Sequence, residues 1–384
     1  MIPLSIPKIE GNESKYVQDC LTTGWISSAG SYVNQFEEMI ARYAGAKYGV
    51  ACMNGTVGLH IAQILLGVSA NDHVIAPNIT FIATLNAIKY TGATPILIDV
   101  DADNWQMDLN LLEDYLKNQT ELRATETGTF SFDITTQKRV RAIMPVHVLG
   151  NMGDMNRMLA IAKTYHLEII EDSTEALGST FEGKHAGTFG KLGVFSFNGN
   201  KIISTGGGGV IVTNDEDLAK KAKHLTTQAK VSALDYIHDE IGYNYRLVNV
   251  LAAIGVAQME TFPQILEDKK AMDAFYREQV KGVGDIKFQE IPEGTDPNCW
   301  LFTFSTSRMR ELLEYLNENG VQSRPFWMPM NQLEMFKDDI YINTSDVSAS
   351  VYADSISIPS SAGITKAQLE TVVRTIKDFY TLGS

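Results

Sequence analysis

Residues 195–210 read FSFNGNKIISTGGGGV, and this stretch decides how the rest of the chain is interpreted. The apolar run at 194–197 predicts a buried strand, and the four glycines at 206–209 predict a turn. Lys201, which lies between them, is poorly placed for solvation. Desolvation favours the neutral amine, the form that makes an imine with an aldehyde. Because most lysines are solvated surface residues, this hypothesis depends on what surrounds Lys201.

The composition excludes several classes of protein. The chain has 384 residues, 44% of them hydrophobic and 20% charged, which is enough for a large and a smaller domain. Its formal net charge of −14 argues against nucleic-acid binding, which needs a basic face. Cys20, Cys52 and Cys299 are far apart, so we expect no disulfide framework and a reducing compartment. The seven histidines show no metal-ligand spacing, so we expect no metal site.

The sequence also gives no sign of export or of membrane insertion. The first residues lack a basic segment followed by an apolar one, and no apolar run reaches membrane-spanning length. We therefore expect a cytoplasmic protein without a membrane partner.

Strands and helices alternate from residue 48 to residue 171. The predicted strands are 48–52, 73–76, 95–100, 141–148 and 167–171. The predicted helices are 13–22, 33–43, a segment ending near 66, 80–90, 109–117 and 154–165. This alternation, with strands that are apolar almost throughout, predicts an α/β fold with parallel pairing and helices on both faces of the sheet.

Two regions depart from the alternation. Residues 118–140 are polar and rich in threonine, which predicts an excursion with a β-hairpin at 125–136, and 179–212 reads as several short strands. A long helical region at 247–280 precedes a smaller α+β unit. Its predicted strands are near 286–289, 300–305 and 321–324, and its predicted helices are 308–318 and 365–381. We therefore predict an N-terminal arm (1–12), a large domain (13–246), and a linking helix with a small C-terminal domain (247–384).

Polar residues gather at three strand ends, where open α/β sheets bind ligands. Asn54-Gly55-Thr56 precedes a helix and would bind a phosphate, although such a tripeptide alone is more often a plain helix cap. Asp172 ends an apolar strand, and a buried carboxylate there needs a cationic partner such as a protonated heterocyclic nitrogen.

The third group contains Ser196, Asn198 and Lys201, and Lys201 follows Asp172 by 29 residues. Together the three groups offer a phosphate cradle, a carboxylate for a pyridinium nitrogen and an amine for an aldehyde. Pyridoxal 5′-phosphate requires this combination of groups.

Seven motifs in fixed order carry a resemblance to a known family. They are GNE (11–13), TGWIS (23–27), KYGVACMNGT (47–56), PNITFIATLNAI (77–88), EDSTEALGS (171–179), SFNGNKIISTGGGG (196–209) and GYNYRLVN (242–249). Over nearly its whole length the chain resembles the DegT/DnrJ/EryC1/StrS family of pyridoxal-phosphate-dependent nucleotide-sugar aminotransferases. The resemblance implies the aspartate-aminotransferase fold of type I: a large domain with a mostly parallel mixed sheet flanked by helices, and a smaller α+β domain.

The resemblance also implies roles for individual residues. Lys201 matches the Schiff-base lysine, Asp172 the partner of the ring nitrogen, and Glu175 the contact to the 3-oxygen of the ring. The remaining implied cofactor contacts are Gly55, Thr56 and Ser196 to the phosphate, Asn198 in the lysine motif, and Phe81 stacked on the ring. Asn244 matches a residue donated to the phosphate across a dimer interface, which implies a homodimer with shared active sites.

Glu175 and the NGNK form of the lysine motif (198–201) resemble the C4 aminotransferases of the legionaminic acid and bacillosamine pathways. This implies a UDP-2-acetamido-2,6-dideoxy-4-keto-hexose as substrate, L-glutamate as amino donor, and a UDP-2-acetamido-4-amino-2,4,6-trideoxyglucose as product. The candidate sugar-side residues are Trp25, His147, Tyr243, Arg246 and Arg324, each of which could equally be structural.

Three alternatives stay open at this point. Another 4-keto-6-deoxy nucleotide sugar, of the GDP-perosamine or dTDP-amino-sugar type, is the main one. A sugar dehydratase of the same family would carry histidine in place of Lys201. A non-catalytic regulator on the same fold would have no reason to keep Lys201, Asp172 and Thr56 together. Asn331 lies near a position often held by histidine in the family, which bears on sugar recognition.

Overall fold

The computed structural model describes residues 1–232 and 234–382. The helices of this part of the chain are α1 (Glu13–Thr23), α2 (Ser31–Ala44), α3 (Gly55–Leu65), α4 (Ala83–Tyr90), α5 (Leu109–Gln119), α6 (Met155–Thr164), α7 (Glu216–Thr226), α8 (Asn249–Val280), α9 (Met309–Glu318), α10 (Val347–Asp354) and α11 (Lys366–Leu382). Two short 3-10 turns, Val148–Gly150 and Met330–Gln332, lie between these helices. None of the described helices combines the length and the apolar character needed to cross a bilayer.

The strands fall into one large sheet and two small ones. They are β1 (Tyr48–Cys52), β2 (Asp72–Pro77), β3 (Thr94–Ile98), β4 (Thr120–Thr125), β5 (Gly128–Asp133), β6 (Arg139–Ile143), β7 (Glu168–Asp172), β8 (Thr180–Phe181), β9 (Lys184–His185), β10 (Leu192–Ser196), β11 (Gly209–Thr213), β12 (Lys287–Phe288), β13 (Thr295–Asp296), β14 (Thr303–Ser305), β15 (Arg324–Pro325), β16 (Ile340–Ile342) and β17 (Ser355–Ser357).

The large sheet is mixed but mainly parallel, with the strand order β1-β11-β10-β7-β6-β2-β3-β16. Parallel pairing runs from β10 through β7, β6, β2 and β3 to β16. At the opposite edge β11 is antiparallel to both β10 and β1. The carboxyl ends of β7 and β10 therefore lie side by side, and this brings Asp172 close to the segment that leads to Lys201.

Helices cover both faces of this sheet with apolar side chains, as its apolar strands require. On one face the core includes Phe36 of α2, Phe195 and Phe197 around β10, and Phe262 of α8, all fully buried. On the other face, α3, α4 and α7 pack against the sheet. The antiparallel hairpin β4–β5 extends from β6, so the predicted hairpin exists but begins at residue 120 rather than 125.

The C-terminal part builds a four-stranded antiparallel sheet in the order β12-β14-β17-β15, packed against α9 and α11. Between β15 and β17 the chain returns to the large sheet, because Ile340–Ile342 pairs in parallel with β3. The sequence division at 246/247 therefore assigns to the small domain a strand that belongs to the large sheet. The last two residues of the predicted domain 247–384 lie outside the described residues.

Several element boundaries differ from the sequence prediction. The structure has helices at Glu216–Thr226 and Val347–Asp354 that the sequence analysis does not predict. The strand predicted at 300–305 begins only at Thr303, because the Trp300 N–H donates to the Asn298 side chain rather than to a neighbouring strand. The strand predicted at 141–148 ends at Ile143, ahead of a 3-10 turn in which Leu149 has a φ of 61°.

Candidate active site

A cavity of about 610 Å³ lies at the carboxyl ends of the central strands. The residues that line it come from the N-terminal arm, the start of α3, the segments after β7 and β10, and the C-terminal part. They are Leu4, Asn54, Gly55, Thr56, Phe81, Ala83, Leu149, Thr174, Glu175, Ser196, Asn198, Asn200, Lys201, Trp300, Leu301, Arg324, Pro325, Phe326, Trp327 and Ser357. The structure therefore brings Asn54-Gly55-Thr56 and the group of Ser196, Asn198 and Lys201 into one cavity, and Thr174 and Glu175 line it from the segment that follows Asp172.

The start of α3 forms one end of this cavity. Asn54 is extended (φ −169°) and caps the helix, since its Oδ1 accepts a hydrogen bond from Val57 N at 3.0 Å. A Cβ at Gly55 would lie 2.9 Å from both the Ser196 Cβ and the Thr174 Cγ2, so only glycine fits without displacement. The first N–H groups of a helix carry a partial positive charge, which suits an anion. This end of the cavity fits the phosphate of pyridoxal phosphate.

Lys201 projects into the cavity from the segment after β10, and its side chain is 11% exposed. Its Nζ lies 4.2 Å from the centroid of the Trp300 ring and 3.6 Å from Oε1 of Glu175. The carbonyl of the preceding residue, Asn200, accepts hydrogen bonds from Trp300 Nε1 (2.8 Å) and from Ser5 Oγ (3.1 Å). The lysine thus sits on a fixed backbone, between an aromatic face and a carboxyl group.

Glu175 is buried beside Lys201. Its Oε2 accepts a hydrogen bond from Leu149 N at 2.8 Å, which fixes the carboxyl group against the 3-10 turn. Burial raises the pKa of Glu175 to about 7, although the Lys201 amine and the Leu149 N–H act in the opposite direction. A carboxyl group with this pKa can take up or release a proton near neutral pH.

Asp172 ends β7 and is 2% exposed. Its Oδ2 accepts a hydrogen bond from Thr84 Oγ1 at 2.7 Å, and its Oδ1 accepts one from Thr174 N at 3.2 Å. Both donors are neutral, so they leave the charge of this buried carboxylate to be balanced by a cation. A protonated pyridine nitrogen would supply that charge, and the residues present therefore fit pyridoxal phosphate.

Aromatic side chains form part of the cavity wall. Trp327 stacks on Phe326 with ring centroids 4.7 Å apart, and it meets Phe81 edge-on at 6.4 Å. Phe81 is 53% exposed although apolar, and it lines the cavity with a free face. Arg324 lines the same cavity, and its contact with a sugar substrate stays a prediction. This wall offers apolar faces to a ring-shaped ligand and one guanidinium group to an anion.

The structure corrects the prediction for His147. This side chain is 1% exposed, and its Nε2 lies 2.9 Å from Oε2 of Glu171. Glu171 also accepts backbone hydrogen bonds from Gly187, Phe189 and Gly190. His147 lines a separate cavity of about 190 Å³ rather than the one that holds Lys201. Its contacts hold the end of β7 in place, so the assignment to the sugar side is wrong.

Arg246 is also misassigned as a sugar-side residue. Its guanidinium group is 5% exposed and forms an ion pair with Glu37 of α2. It also donates to Ala51 O at 3.1 Å, so it joins α2 to β1 beneath the surface. With these partners Arg246 cannot reach a ligand in the cavity.

Trp25, Tyr243 and Asn244 lie away from the cavity of their own chain. Trp25 is 59% exposed, and its carbonyl accepts a hydrogen bond from Asn249 Nδ2 at 2.7 Å. Tyr243 stacks on Tyr245 with ring centroids 4.9 Å apart. Asn244 is exposed and forms a bridge with Thr227. A contribution from Asn244 to an active site therefore requires a second copy of the chain.

The sequence analysis missed several residues of the site. Trp300, Trp327, Leu149 and Leu4 line the cavity but belong to no motif that the analysis identified. Asn331, noted as a departure from the family, pairs with Asn78 through two hydrogen bonds of 2.9 Å. Neither tryptophan could be recognised from the sequence, since an isolated tryptophan near apolar residues is usually part of a core.

Comparisons with known proteins agree with this geometry. The model of the DegT/DnrJ/EryC1/StrS aminotransferase family matches residues 7–377. A GDP-perosamine synthase from Escherichia coli O157:H7 is 35% identical over 382 residues, covering 99% of this chain and 98% of that protein. The GDP-perosamine synthase from Caulobacter vibrioides is 35% identical over 381 residues, covering 97% of this chain and 96% of that protein.

Two solved structures share the fold. A DegT/DnrJ/EryC1/StrS aminotransferase from Brucella abortus has a TM-score of 0.87 and 25% identity, covering 96% of this chain and 95% of that one. The S. venezuelae DesV, solved in complex with a ketimine intermediate, has a TM-score of 0.85 and 26% identity, covering 96% of this chain and 94% of that one. The predicted fold class, an α/β aminotransferase of type I, is confirmed.

Proposed function

We propose, from the premise that this chain belongs to the DegT/DnrJ/EryC1/StrS aminotransferase family, that it transfers an amino group to C4 of a nucleotide-linked 4-keto-6-deoxyhexose. The chain is a pyridoxal-phosphate-dependent sugar aminotransferase. The observation that carries the proposal is the Lys201 amine, 3.6 Å from Glu175 in a cavity that also holds the start of α3. L-Glutamate is the proposed amino donor.

Each residue of the site has a proposed task. When bound, pyridoxal phosphate supplies an aldehyde group that takes the amino group from the donor and then releases it to the keto sugar. The N–H groups of Gly55 and Thr56 and the Ser196 hydroxyl bind its phosphate, and Asp172 holds its ring nitrogen in the charged form. Lys201 Nζ moves a proton in each half of the reaction, and Glu175 is close enough to exchange protons with it.

The remaining predicted cofactor contacts complete this proposal. Phe81 stacks on the pyridine ring, and Asn198 helps to orient it beside Lys201. Asn244 of a second copy reaches the phosphate, so the active form is a homodimer with shared sites. The cytoplasmic location belongs to the proposal too, and it is supported by the wide separation of the three cysteines.

Two acceptors are candidates for the sugar. The NGNK motif (198–201) and Glu175 support a UDP-2-acetamido-2,6-dideoxy-4-keto-hexose, which would give UDP-2-acetamido-4-amino-2,4,6-trideoxyglucose. The similarity to GDP-perosamine synthases supports GDP-4-keto-6-deoxymannose as the second candidate. Arg324 is the proposed contact to an acidic group of either substrate, and the aromatic wall around Trp327 faces its sugar ring.

A panel of 4-keto nucleotide sugars tests the proposal directly. Purified protein loaded with pyridoxal phosphate is given L-glutamate and either the UDP, GDP or dTDP 4-keto sugar. Mass spectrometry detects the replacement of oxygen by an amino group, and NMR locates the amine and its orientation at C4. We expect one nucleotide sugar to be aminated much faster than the others. Loss of water without amine transfer would instead indicate a dehydratase, and no reaction with any sugar would overturn the proposal.

A further inference from the structure

Lys269, on α8, is a buried lysine for which the proposed reaction has no use. The residue is 2% exposed, although lysine is rarely buried without a carboxylate partner. Its Nζ donates to two backbone carbonyl groups, Trp300 O and Ser360 O. Asp273, one helical turn further along α8, is instead paired with Arg277 at 2.8 Å. Both hydrogen bonds of the Lys269 amine are thus made to backbone carbonyl groups of the C-terminal part.

The number of hydrogen bonds fits a neutral amine. A neutral amine has two N–H donors, and the two carbonyl groups use both of them. Burial lowers the pKa of Lys269 to about 7, although Cys299 and Asp273 act in the opposite direction. The group can therefore hold both carbonyl groups without leaving a buried charge uncompensated.

The first of these carbonyl groups belongs to the residue beneath the Lys201 amine. The Trp300 ring lies 4.2 Å from Lys201 Nζ, and its Nε1 donates to Asn200 O at 2.8 Å. The Trp300 N–H donates to Asn298 Oδ1 at 3.0 Å, while Asn298 Nδ2 donates to Glu175 O at 2.7 Å. A shift of the Trp300 backbone would therefore move the surroundings of Lys201 and Glu175 together.

The second carbonyl group, that of Ser360, is also connected to the Asn200 carbonyl, through the N-terminal arm. Ser360 N donates to Leu4 O at 2.6 Å, and this contact fixes the N-terminal arm, of which Leu4 lines the cavity. The next residue of the arm, Ser5, donates from its hydroxyl to Asn200 O at 3.1 Å. Both partners of Lys269 thus connect, through one or two hydrogen bonds, to the carbonyl that precedes Lys201.

We propose that Lys269 is a positioning residue for Lys201: by holding the Trp300 and Ser360 carbonyl groups, it fixes the indole and the N-terminal arm that clamp the Asn200 carbonyl. This inference rests on the proposed role of Lys201. Lys269 lies outside the cavity but would determine the position of the Lys201 amine within it. Removing the donor would leave two buried carbonyl groups unpaired and allow both supports to move.

The test compares Lys269→Met with Lys270→Met. Methionine keeps the length and apolar character of lysine but donates no hydrogen bond. Lys270 is the adjacent lysine, and it forms a partly exposed ion pair with Asp296, so its replacement is a matched control. The first readout uses cofactor-free protein: the rate at which acetic anhydride acetylates Lys201, followed by peptide mass spectrometry. We expect Lys269→Met to change this rate roughly fivefold or more, and Lys270→Met to leave it unchanged.

The second readout uses protein loaded with pyridoxal phosphate. We expect Lys269→Met to shift the absorbance band of the bound cofactor and to lower kcat with little change in KM. Trp300→Phe, which keeps an aromatic ring but loses the Nε1 donor, should change Lys201 acetylation in the same direction. This variant also keeps the proposal testable if Lys269→Met does not fold.

An unchanged acetylation rate in folded Lys269→Met would overturn the positioning role, and so would an unchanged rate in Trp300→Phe if Lys269→Met does not fold. Failure of the proposed function gives a different result. In that case the acetylation rates would still differ between Lys269→Met and Lys270→Met, while the wild-type protein would aminate none of the keto sugars.

Discussion

Lys201 Nζ lies 3.6 Å from Glu175 Oε1, and the two side chains are only 11% and 2% exposed. Burial raises the pKa of Glu175 to about 7, although the nearby Lys201 amine acts in the opposite direction. The amine and the carboxyl group therefore lie close together in a site that is largely shielded from bulk water.

Replacement of Lys201 tests its proposed role in proton transfer. We expect Lys201→Ala to lower kcat by a factor on the order of 10³ or more, because it removes the amine that moves the proton. Amino-sugar formation measured by mass spectrometry checks this result. Lys191→Ala is the matched control, since Lys191 forms a partly exposed ion pair with Asp215. Turnover of Lys201→Ala at the wild-type rate would remove the basis for the proposed function.

Glu175 predicts a pH dependence of stability in the cofactor-free protein. Its pKa is about 7 in the folded chain, against an ordinary value of 4.5. Between these pH values the folded state holds a proton that the unfolded state releases. The contribution of Glu175 to the free energy of unfolding is therefore greatest below pH 4.5 and is lost as the pH rises through 7. Glu175→Gln, which cannot ionise, should therefore gain stability relative to wild type as the pH rises from 5 to 8. Urea unfolding of both proteins at each pH measures this difference, and a constant difference would contradict the assigned pKa.

Gly55 predicts a steric effect at the phosphate end of the cavity. A Cβ at this position would lie 2.9 Å from atoms of Ser196 and Thr174, so we expect Gly55→Ala to cost about 1–3 kcal/mol of stability. It should also weaken the binding of pyridoxal phosphate, measured by the absorbance of the bound cofactor. Gly199→Ala is the control, because a Cβ there meets no atom within 4 Å. Equal cofactor affinity in the two variants would argue against a phosphate site at the start of α3.

Two arginines predicted together on the sugar side should now behave differently. Arg246→Met removes the nearer of the two cationic partners of the buried Glu37, which keeps only Lys223 at 3.8 Å, and should cost about 3 kcal/mol of stability. Arg324→Met, at an exposed position that lines the cavity, should leave stability nearly unchanged and raise KM for the nucleotide sugar. Thermal unfolding and steady-state kinetics of both variants separate these outcomes, and a raised KM with normal stability in Arg246→Met would restore its assignment to the sugar side.

The proposed sharing of active sites between two copies can be tested by mixing inactive variants. Lys201→Ala and Asn244→Ala should each be poorly active alone, because the first lacks the amine and the second lacks the proposed phosphate contact. Asn244 is exposed and does not line the cavity of its own chain, so this contact would come from the other copy. Refolding them together should restore about a quarter of the wild-type activity, because half of the dimers are hybrids and each hybrid has one intact site. A mixture that stays as inactive as its components would contradict the exchange of Asn244 between copies.

The sequence predicted the parts of the site that depend on local order. Gly55, Asp172 and Lys201 each follow or precede an apolar strand, and parallel strands bring such ends to one edge of a sheet. Trp300 and Lys269 could not be found in this way, since their importance comes from contacts between segments that are distant along the chain. The errors for His147 and Arg246 have a related cause, because the pairing of a polar side chain with Glu171 or Glu37 is decided by tertiary packing.

The return of Ile340–Ile342 to the edge of the large sheet constrains how the chain can be divided. Without these residues, β3 would present an unpaired edge whose last four residues are all buried in the intact fold. Exposed apolar edges of this kind attract strands from other molecules. A fragment cut at the predicted domain boundary would therefore aggregate rather than persist as an independent folding unit. The C-terminal third protects the N-terminal two thirds from this aggregation, because its Ile340–Ile342 strand covers the edge of β3.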